Sequence, residues 1–412
     1  MLKENVDVLI IGAGPSGCVA AGYLHKNNVS VKVVEKSEFP RFVIGESLIP
    51  RSMEHYEEAG LLDCLMAKGF EKKFGARFIR GDEICLFDFS NKFTPGWDWT
   101  WQVPRADFDN TLAQEIVRKG VDLEFETEVL DVIFDGTNST TIVRGKDGVE
   151  KEISAKFIID SSGYGRVLPR ILKLDSPSSI PENSSLFAHV KDVNRPEGTE
   201  GTLISFDILE TRIWLWVIPF SDGNTSIGVV GPTELINALP GDTTEALKAA
   251  INRSDFYRER FKDVDFLFAP HKLQNYSCAV SKLCGDGFTL TGNSAEFLDP
   301  VFSSGVCFAT ESGLLSAKLF LKQQNGIAVD WEKEFSDYMR RGVNVFSTYV
   351  KEWYTGNLQK VFFHQPEDPD VKRKICAVLA GYVWDEENPF VKKHDKVIRN
   401  MAYFIENAKS AE

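Results

Sequence analysis

The chain lacks the features of secreted, membrane-spanning or metal-clustered proteins. Its seven cysteines (Cys18, Cys64, Cys85, Cys278, Cys284, Cys307 and Cys376) are scattered, odd in number and never spaced CxxC. That argues against a disulfide framework or a zinc site and fits a reducing compartment. No stretch of 18 uninterrupted apolar residues occurs, so no membrane-spanning helix is expected. The opening residues, MLKENVDVLIIGAG, enter a strand without a basic-then-apolar leader, and a cytoplasmic location is expected. Basic residues are outnumbered, with 47 Lys and Arg against 60 Asp and Glu and a net charge of −13 spread along the chain. Nucleic-acid partners are therefore disfavoured, since their affinity comes largely from cations meeting phosphates. Repeats and low-complexity linkers are missing too. The six histidines form no recognisable constellation; His189 and His271 fall in a strand region but receive no role, and no metal is expected.

What is present is an ordinary globular composition, 43% hydrophobic and 26% charged, over 412 residues. That length has room for two or three domains. The 30 Phe against 10 Tyr suggest a core or pocket of plain aromatic surface.

Val6 to Ile11 is an apolar run broken only by Asp7, as in a strand buried on both faces. A glycine turn over 12–17 follows, then a helix over Cys18 to Lys26 and a second strand over Val31 to Val34. Together these make a complete βαβ unit. The turn reads Gly12-Ala13-Gly14-Pro15-Ser16-Gly17, and Glu35 closes the second strand at roughly the 20-residue remove the dinucleotide fingerprint requires. Its glycines let backbone approach a pyrophosphate, and the helix start supplies free N–H groups and a partial positive charge. Glu35 accepts from ribose hydroxyls and repels a 2′-phosphate by roughly 1 kcal/mol at ~4 Å in water, and by more in a dry site. The site suits FAD or NAD rather than NADP, and the later motifs favour FAD.

Residues 74–101 and 185–231 read as short alternating strands, with a helix over Asp107 to Lys119 and a buried strand over Phe157 to Ile159. Phe288 to Thr291 resumes the buried-strand pattern before a helix over Gly305 to Leu321. Trp331, Phe335, Met339, Val343, Phe346, Val350 and Tyr354 then form an apolar stripe at helical spacing, read as core packing. The expected fold is α/β, a Rossmann-like, three-layer GxGxxG domain over 1–73, 102–184 and 276–330. An antiparallel-sheet substrate domain over 74–101 and 185–275 interrupts it, and a helical region over 331–412 follows.

Six stretches, taken in order, resemble the flavin-dependent halogenases, in particular their phenol- and pyrrole-type branch. That family lies within the wider group of FAD-binding monooxygenases and geranylgeranyl-reductase-like flavoproteins. The stretches are GAGPSG with Glu35, RFVIGESLIP (Arg41 to Pro50), WQVPRADFD (Trp101 to Asp109), DSSG (Asp160 to Gly163), WLWVIP (Trp214 to Pro219) and DPVFSSGV (Asp299 to Val306). The last two discriminate halogenases within the group, although Ile213 replaces the glycine usual before WxWxIP.

The resemblance implies FAD held by the glycine turn, by Glu35 and Lys36, by Arg41, Glu46 and Ser47, and by Arg105. Asp160 and Gly163 are implied at the adenosine end. Asn293, Pro300, Gly305 and Val306 are implied near the flavin, with Asn293 standing where the group usually has aspartate. The rings of Trp214 and Trp216, with Ile218 and Pro219, are implied to wall the organic substrate away from the flavin. Taken alone, that strand is also a half-buried strand filling a core. Ser304 and Gly305 are implied to bind halide through backbone N–H groups; the plainer reading is packing against the flavin.

Lys73 is implied as the catalytic lysine, from the Lys-x-Gly pattern Lys73-Phe74-Gly75. It either holds hypohalous acid by hydrogen bond or becomes a chloramine. An unperturbed lysine, pKa about 10.4, is almost wholly charged at neutral pH, and Lys72 would face the other way on a strand. Phe302 stands where tryptophan-specific members carry glutamate, which favours an activated ring such as a phenol or pyrrole, free or on an acyl or peptidyl carrier protein. Reduced FAD is expected from a separate reductase, because no second nucleotide fingerprint appears. The alternatives are an NAD(P)H-fed FAD reductase or monooxygenase, and a flavin-binding protein without turnover.

Overall fold

The computed structural model describes residues 2–364 and 369–409. Met1, 365–368 and 410–412, which fall within the expected first and last regions, lie outside the described residues.

Apolar residues on both faces bury the strand Leu2–Ile11 in the centre of a sheet. It pairs in parallel with Glu150–Asp160 on one side and with Val31–Val34 on the other. Phe288–Leu290 extends the sheet beyond Glu150–Asp160, and Asp122–Glu124 extends it beyond Val31–Val34. The register sets Ile11 beside both Val34 and Asp160, and Asp160 beside Leu290. The carboxyl ends of four parallel strands thus share one edge, where open α/β sheets bind ligands. A hairpin of Glu128–Asp135 and Asn138–Arg144 pairs antiparallel onto Glu150–Asp160.

The helix after the glycine turn spans Pro15–Lys26 and begins three residues before the expected Cys18. Pro at the first helical position has its φ already set and lacks only an N–H that the helix does not use. Likewise the third stretch's helix spans Arg105–Arg118, opening directly after Pro104. Gly305–Gln324 packs along Pro15–Lys26 beneath the sheet.

The second sheet has seven strands in the order His271–Gln274, Asn183–Lys191, Asn224–Pro232, Ile213–Pro219, Ser205–Glu210, Gly75–Arg80 and Glu83–Asp88. All its pairs are antiparallel except Ser205–Glu210 with Gly75–Arg80. Ile213–Pro219 is buried at every residue rather than at alternate ones. One face carries Trp214, Trp216 and Ile218 into a core shared with the C-terminal helices. The other carries Leu215 and Val217 against Thr243–Asn252 and its neighbours.

The aromatic stripe after residue 330 becomes a short π-helical turn, Glu332–Asp337, running into the helix Tyr338–Tyr354. Trp331 stacks on Phe157 of the first sheet at 4.7 Å, and Val343, Phe346 and Val350 pack under the second. The chain is therefore a mixed α/β protein, with a parallel nucleotide-type sheet, an antiparallel sheet and C-terminal helices.

Candidate active site

A cleft of about 430 Å³ lies at the carboxyl edge of the parallel sheet. Gly12, Gly14, Pro15, Ser16, Glu35, Lys36, Arg41, Arg105, Gly163 and Asn293 all line it. The three glycines of the turn do different work. Gly12 has φ +100°, and a Cβ there would stand 2.5 Å from the Ser161 carbonyl oxygen. A Cβ on Gly17 would stand 2.0 Å from the Gly12 carbonyl oxygen, so Gly17 closes the turn from beneath rather than lining the cleft. Around Gly14, by contrast, the nearest atom to an added Cβ would be an Arg41 nitrogen at 3.8 Å. That open backbone, at a helix start and facing Arg41, is the place a pyrophosphate requires.

Glu35 accepts the Ala13 N–H through Oε2 and the Ser37 N–H through Oε1, each at 2.9 Å. It clamps the turn and keeps lone pairs for a ribose. Lys36 lines the cleft but pairs with Glu128 at 2.7 Å. Asp109, 1% exposed, organises both arginines. Arg105 donates to its two oxygens at 2.8 and 3.0 Å, and Arg41 donates to it at 3.2 Å while its guanidinium lies 4.4 Å from the Phe39 ring centre. Arg105 also donates to the carbonyls of Ile44 and Gly45 at 3.2 Å. Asp160 does not line the cleft. It is fully buried and accepts the N–H groups of Ser162 and Leu168 at 2.9 and 2.7 Å, so it shapes the second glycine turn from below.

These residues fit FAD. Replacing Glu35 with alanine removes the turn clamp and the ribose acceptors. We expect FAD affinity to fall at least tenfold, which is about 1.4 kcal/mol, as measured by quenching of flavin fluorescence on titration.

Ile44, Gly45, Phe297, Gly305 and Val306 line both this cleft and a smaller cavity of about 80 Å³. Trp214, Trp216, Ile218, Ile204, Phe206, Glu46, Ser47, Pro300 and Ser303 complete the smaller one. The two indoles stand side by side with ring centres 6.2 Å apart, and both N–H groups are partnered. Trp216 donates to Ser226 Oγ at 3.0 Å and Trp214 to Tyr354 Oη at 3.1 Å. Trp216 has room because its cross-strand neighbour is Gly228, where a Cβ would lie 2.4 Å from the ring. Pro219 ends the strand away from the cavity, its carbonyl accepting from Gln102 at 2.6 Å.

Ser303 has φ +57°, and the helix Gly305–Gln324 begins two residues later with Ser304 buried at its cap. Of these, Ser303 and Gly305 reach the cavity surface. The first N–H groups of that helix have no acceptor within it and carry the positive end of its dipole.

Asp299 locks this loop to the wall. It accepts from Val301 N–H and Asn183 at 3.0 Å, from Tyr354 at 3.0 Å and from Tyr276 at 3.3 Å. Burial nevertheless pushes its pKa up to about 6. Tyr354 therefore joins the Asp299 loop to Trp214. Phe302 packs among Phe346, Tyr349 and Trp353.

Lys73 is 3% exposed on the short strand Glu71–Lys73. Its Nζ donates to Ser47 Oγ and to the Leu48 carbonyl, both at 2.8 Å, and lies 5.6 Å from the Phe89 ring centre. Among the described residues no carboxylate compensates its burial, which lowers the pKa to about 7. Because Ser47 lines the small cavity, the lysine stands one hydroxyl away from it. Lys72 points the opposite way, 4.6 Å from the Trp99 ring centre.

Sequence reasoning missed Phe297, Asp109, Tyr354 and His189. Asp109 had a signal in its four-residue spacing from Arg105 on one helix; the others meet the site only through tertiary packing. Among the described residues one carboxylate cluster, Glu4, Asp122 and Glu124, has metal-like geometry. Lys32 fills it, 2.6 to 2.8 Å from all three.

The cleft and the glycine turn define an FAD-dependent oxidoreductase, and a model of the FAD binding domain matches residues 5–196. The chain is 30% identical to the 1H-pyrrole-2-carbonyl-[peptidyl-carrier protein] brominase of Pseudoalteromonas luteoviolacea, over 93% of its own length and 94% of the relative's. It belongs to the flavin-dependent halogenase family. Among solved structures, a flavoprotein/dehydrogenase from Cytophaga hutchinsonii matches with TM-score 0.96 and 52% identity, covering 98% of this chain and all of that one. The flavin-dependent brominase Bmp2 matches with TM-score 0.84 and 27% identity, covering 99% of this chain and all of that one. No helix among the described residues is long and apolar enough to cross a membrane.

Proposed function

We propose that this protein halogenates an electron-rich aromatic ring, of phenol or pyrrole type, with chloride or bromide in the cytoplasm. When bound, reduced FAD and oxygen supply the oxidation of halide to hypohalous acid. The start of helix Gly305–Gln324, with Ser304 and Gly305, holds the halide through backbone N–H groups. Trp214, Trp216 and Ile218 keep the ring away from the flavin. The cavity they bound, about 80 Å³, is well below the ~300 Å³ of a typical ligand pocket. It suits a halide and a triatomic oxidant better than an aromatic guest. Ser47 passes the oxidant to Lys73, which directs it to the ring.

The observation that carries this reading is a buried lysine with no counter-ion among the described residues, bonded to a cavity-lining serine and with its pKa lowered to about 7. The pyrrole carried by the brominase's protein partner makes a carrier-tethered ring the first substrate to try. A separate flavin reductase supplies the electrons.

The test combines photoreduced FAD, chloride or bromide, and a panel of free phenols and pyrroles and pyrrolyl carrier proteins. A halide-dependent mass shift on one of them is the expected result. A second reading, an NAD(P)H-linked flavin reductase, is favoured by the dehydrogenase label on the Cytophaga relative. Rapid bleaching of bound flavin by NAD(P)H alone, without halogenated product, would decide for it.

A further inference from the structure

The cavity beneath the tryptophan wall is lined by a residue whose carboxyl group has one oxygen without a partner among the described residues. Glu46 is 2% exposed and lines the cavity, and its buried Oε2 has no hydrogen-bond partner among the described residues. Its other oxygen, Oε1, lies 2.5 Å from His189 Nε2. The backbone holds Glu46 in place, its carbonyl accepting the Val103 N–H at 2.7 Å. A buried, half-satisfied carboxyl group is expensive, and native structures carry few of them without a role.

His189 comes from the strand Asn183–Lys191 and keeps 14% of its side chain exposed. Rings surround it: Phe268 at 5.1 Å, Phe220 at 5.3 Å and Phe42 at 5.8 Å. Phe42 is 45% exposed and stacks on the exposed His271 at 5.3 Å. The Glu46–His189 pair is therefore a polar connection, set in apolar rings, from the small cavity toward the protein surface.

We propose that Glu46 donates a proton in the cavity and that His189 resupplies it from solvent. The proposal rests on the halogenase reading and adds the proton supply that reaction needs. With neutral reduced flavin the balance is FADH2 + O2 + halide + H+ giving FAD + hypohalous acid + H2O. Two electrons leave the flavin and two leave the halide; together they reduce dioxygen, and one proton is consumed. A fixed donor beside the reacting atoms supplies that proton without waiting for a correctly placed water.

The other charged groups nearby do not fill this role. Arg105 binds the carbonyls of Ile44 and Gly45 beside Glu46 and keeps its proton. Lys73 lies behind Ser47 and serves the following step. His271 stays outside, on Phe42. Glu46 gives its proton from Oε2 to the oxygen that leaves as water. Oε1 recovers one from His189 Nε2–H as the imidazole takes a solvent proton at Nδ1, which has no protein partner among the described residues; a turn of the carboxyl group and tautomer exchange of the imidazole with solvent then return the protons to Oε2 and Nε2.

The test variant is His189→Gln, whose amide N–H can still donate to Oε1 but cannot relay a proton. FAD affinity and melting temperature are expected to stay as in the wild type. Hypohalous acid captured by a phenol trap is expected to fall at least tenfold, within the ~10²–10⁴ range of general acid catalysis. Added imidazole should restore part of the rate in His189→Ala.

A second measurement needs no turnover. NMR of 15N-histidine protein bound to oxidised FAD should show a downfield, slowly exchanging Nε2–H for His189 that disappears in Glu46→Gln. Wild-type trapping rates in His189→Gln, or a resonance indifferent to Glu46→Gln, would overturn the proposal. A wild-type protein with no halide-dependent trapping would instead overturn the functional reading, and the proton path would fall with it.

Discussion

Lys73→Met is expected to abolish halogenated product while reduced flavin is still oxidised and hydrogen peroxide is released. The same change should make the protein more stable at low pH. Burial lowers the Lys73 pKa from 10.5 to about 7, so the folded state resists a proton that the unfolded chain binds readily. The resulting destabilisation is absent above the unfolded pKa, grows as pH falls from about 10.5 to about 7, and is full below that. Some three and a half units correspond to about 5 kcal/mol, at ~1.4 kcal/mol per unit. Methionine leaves Ser47 Oγ and the Leu48 carbonyl without their donor, which returns roughly 1 kcal/mol each. A net gain of about 3 kcal/mol at pH 6, vanishing near pH ~9 and becoming a loss of about 2 kcal/mol above pH ~10.5, is the expected result of urea unfolding. Unchanged halogenation would remove Lys73 from the reaction. An unchanged pH dependence of stability would show that its amine is not held in a dry site.

The same pKa separates the two routes through the lysine. If the neutral amine captures the halogen, the halogenation step in the wild type should rise about tenfold from pH 6 to pH 8, as the neutral fraction goes from about 0.1 to about 0.9. If the ammonium holds hypohalous acid by hydrogen bonding, the rate should fall over the same range. Single-turnover halogenation with preformed hypohalous acid isolates this step from flavin oxidation.

Trp216→Ala should have the second large effect. The indole is 5% exposed and packs between Trp214 and Phe187, at 6.2 and 5.7 Å between ring centres, with Gly228 opposite. Truncating a buried aromatic ring typically costs about 3–5 kcal/mol. Gly228 offers no side chain to fill the space, so the upper half of that range is expected. The opened cavity should admit small phenols toward the flavin. Halogenated product per oxygen consumed should then fall, and hydroxylated product should appear with a phenol panel. Trp216→Phe should retain most stability and most coupling. If Trp216→Ala still halogenates with wild-type coupling, the indole is core packing and the wall has no chemical role.

Much of the cofactor cleft is legible from local sequence because a strand–turn–helix unit brings its own residues together. Gly12, Gly14, Pro15 and Ser16 lie within one turn, and Glu35 stands at the next strand's end. Parallel pairing with Ile11 beside Val34 brings all of them to the same edge. Helix starts were harder to place. Periodicity marks the apolar face of Pro15–Lys26 and Arg105–Arg118, while the first turn depends on a proline and on backbone N–H groups that have no periodic signature. Alternation along WLWVIP correctly puts Trp214 and Trp216 on one face. It could not show that the opposite face is buried as well, because the helix that covers it, Thr243–Asn252, comes later in the chain.

By itself the sequence determined the nucleotide unit, the shared face of the two tryptophans and the outward turn of Lys72 relative to Lys73. Each follows from backbone geometry over a few residues. Only the tertiary structure decided that Lys73 meets Ser47, that Tyr354 ties Trp214 to Asp299, and that Glu46 reaches His189. Those partners are separated by 26 to 143 residues along the chain. Their meeting depends on how two sheets and a helical layer pack, and burial then sets the protonation of Lys73.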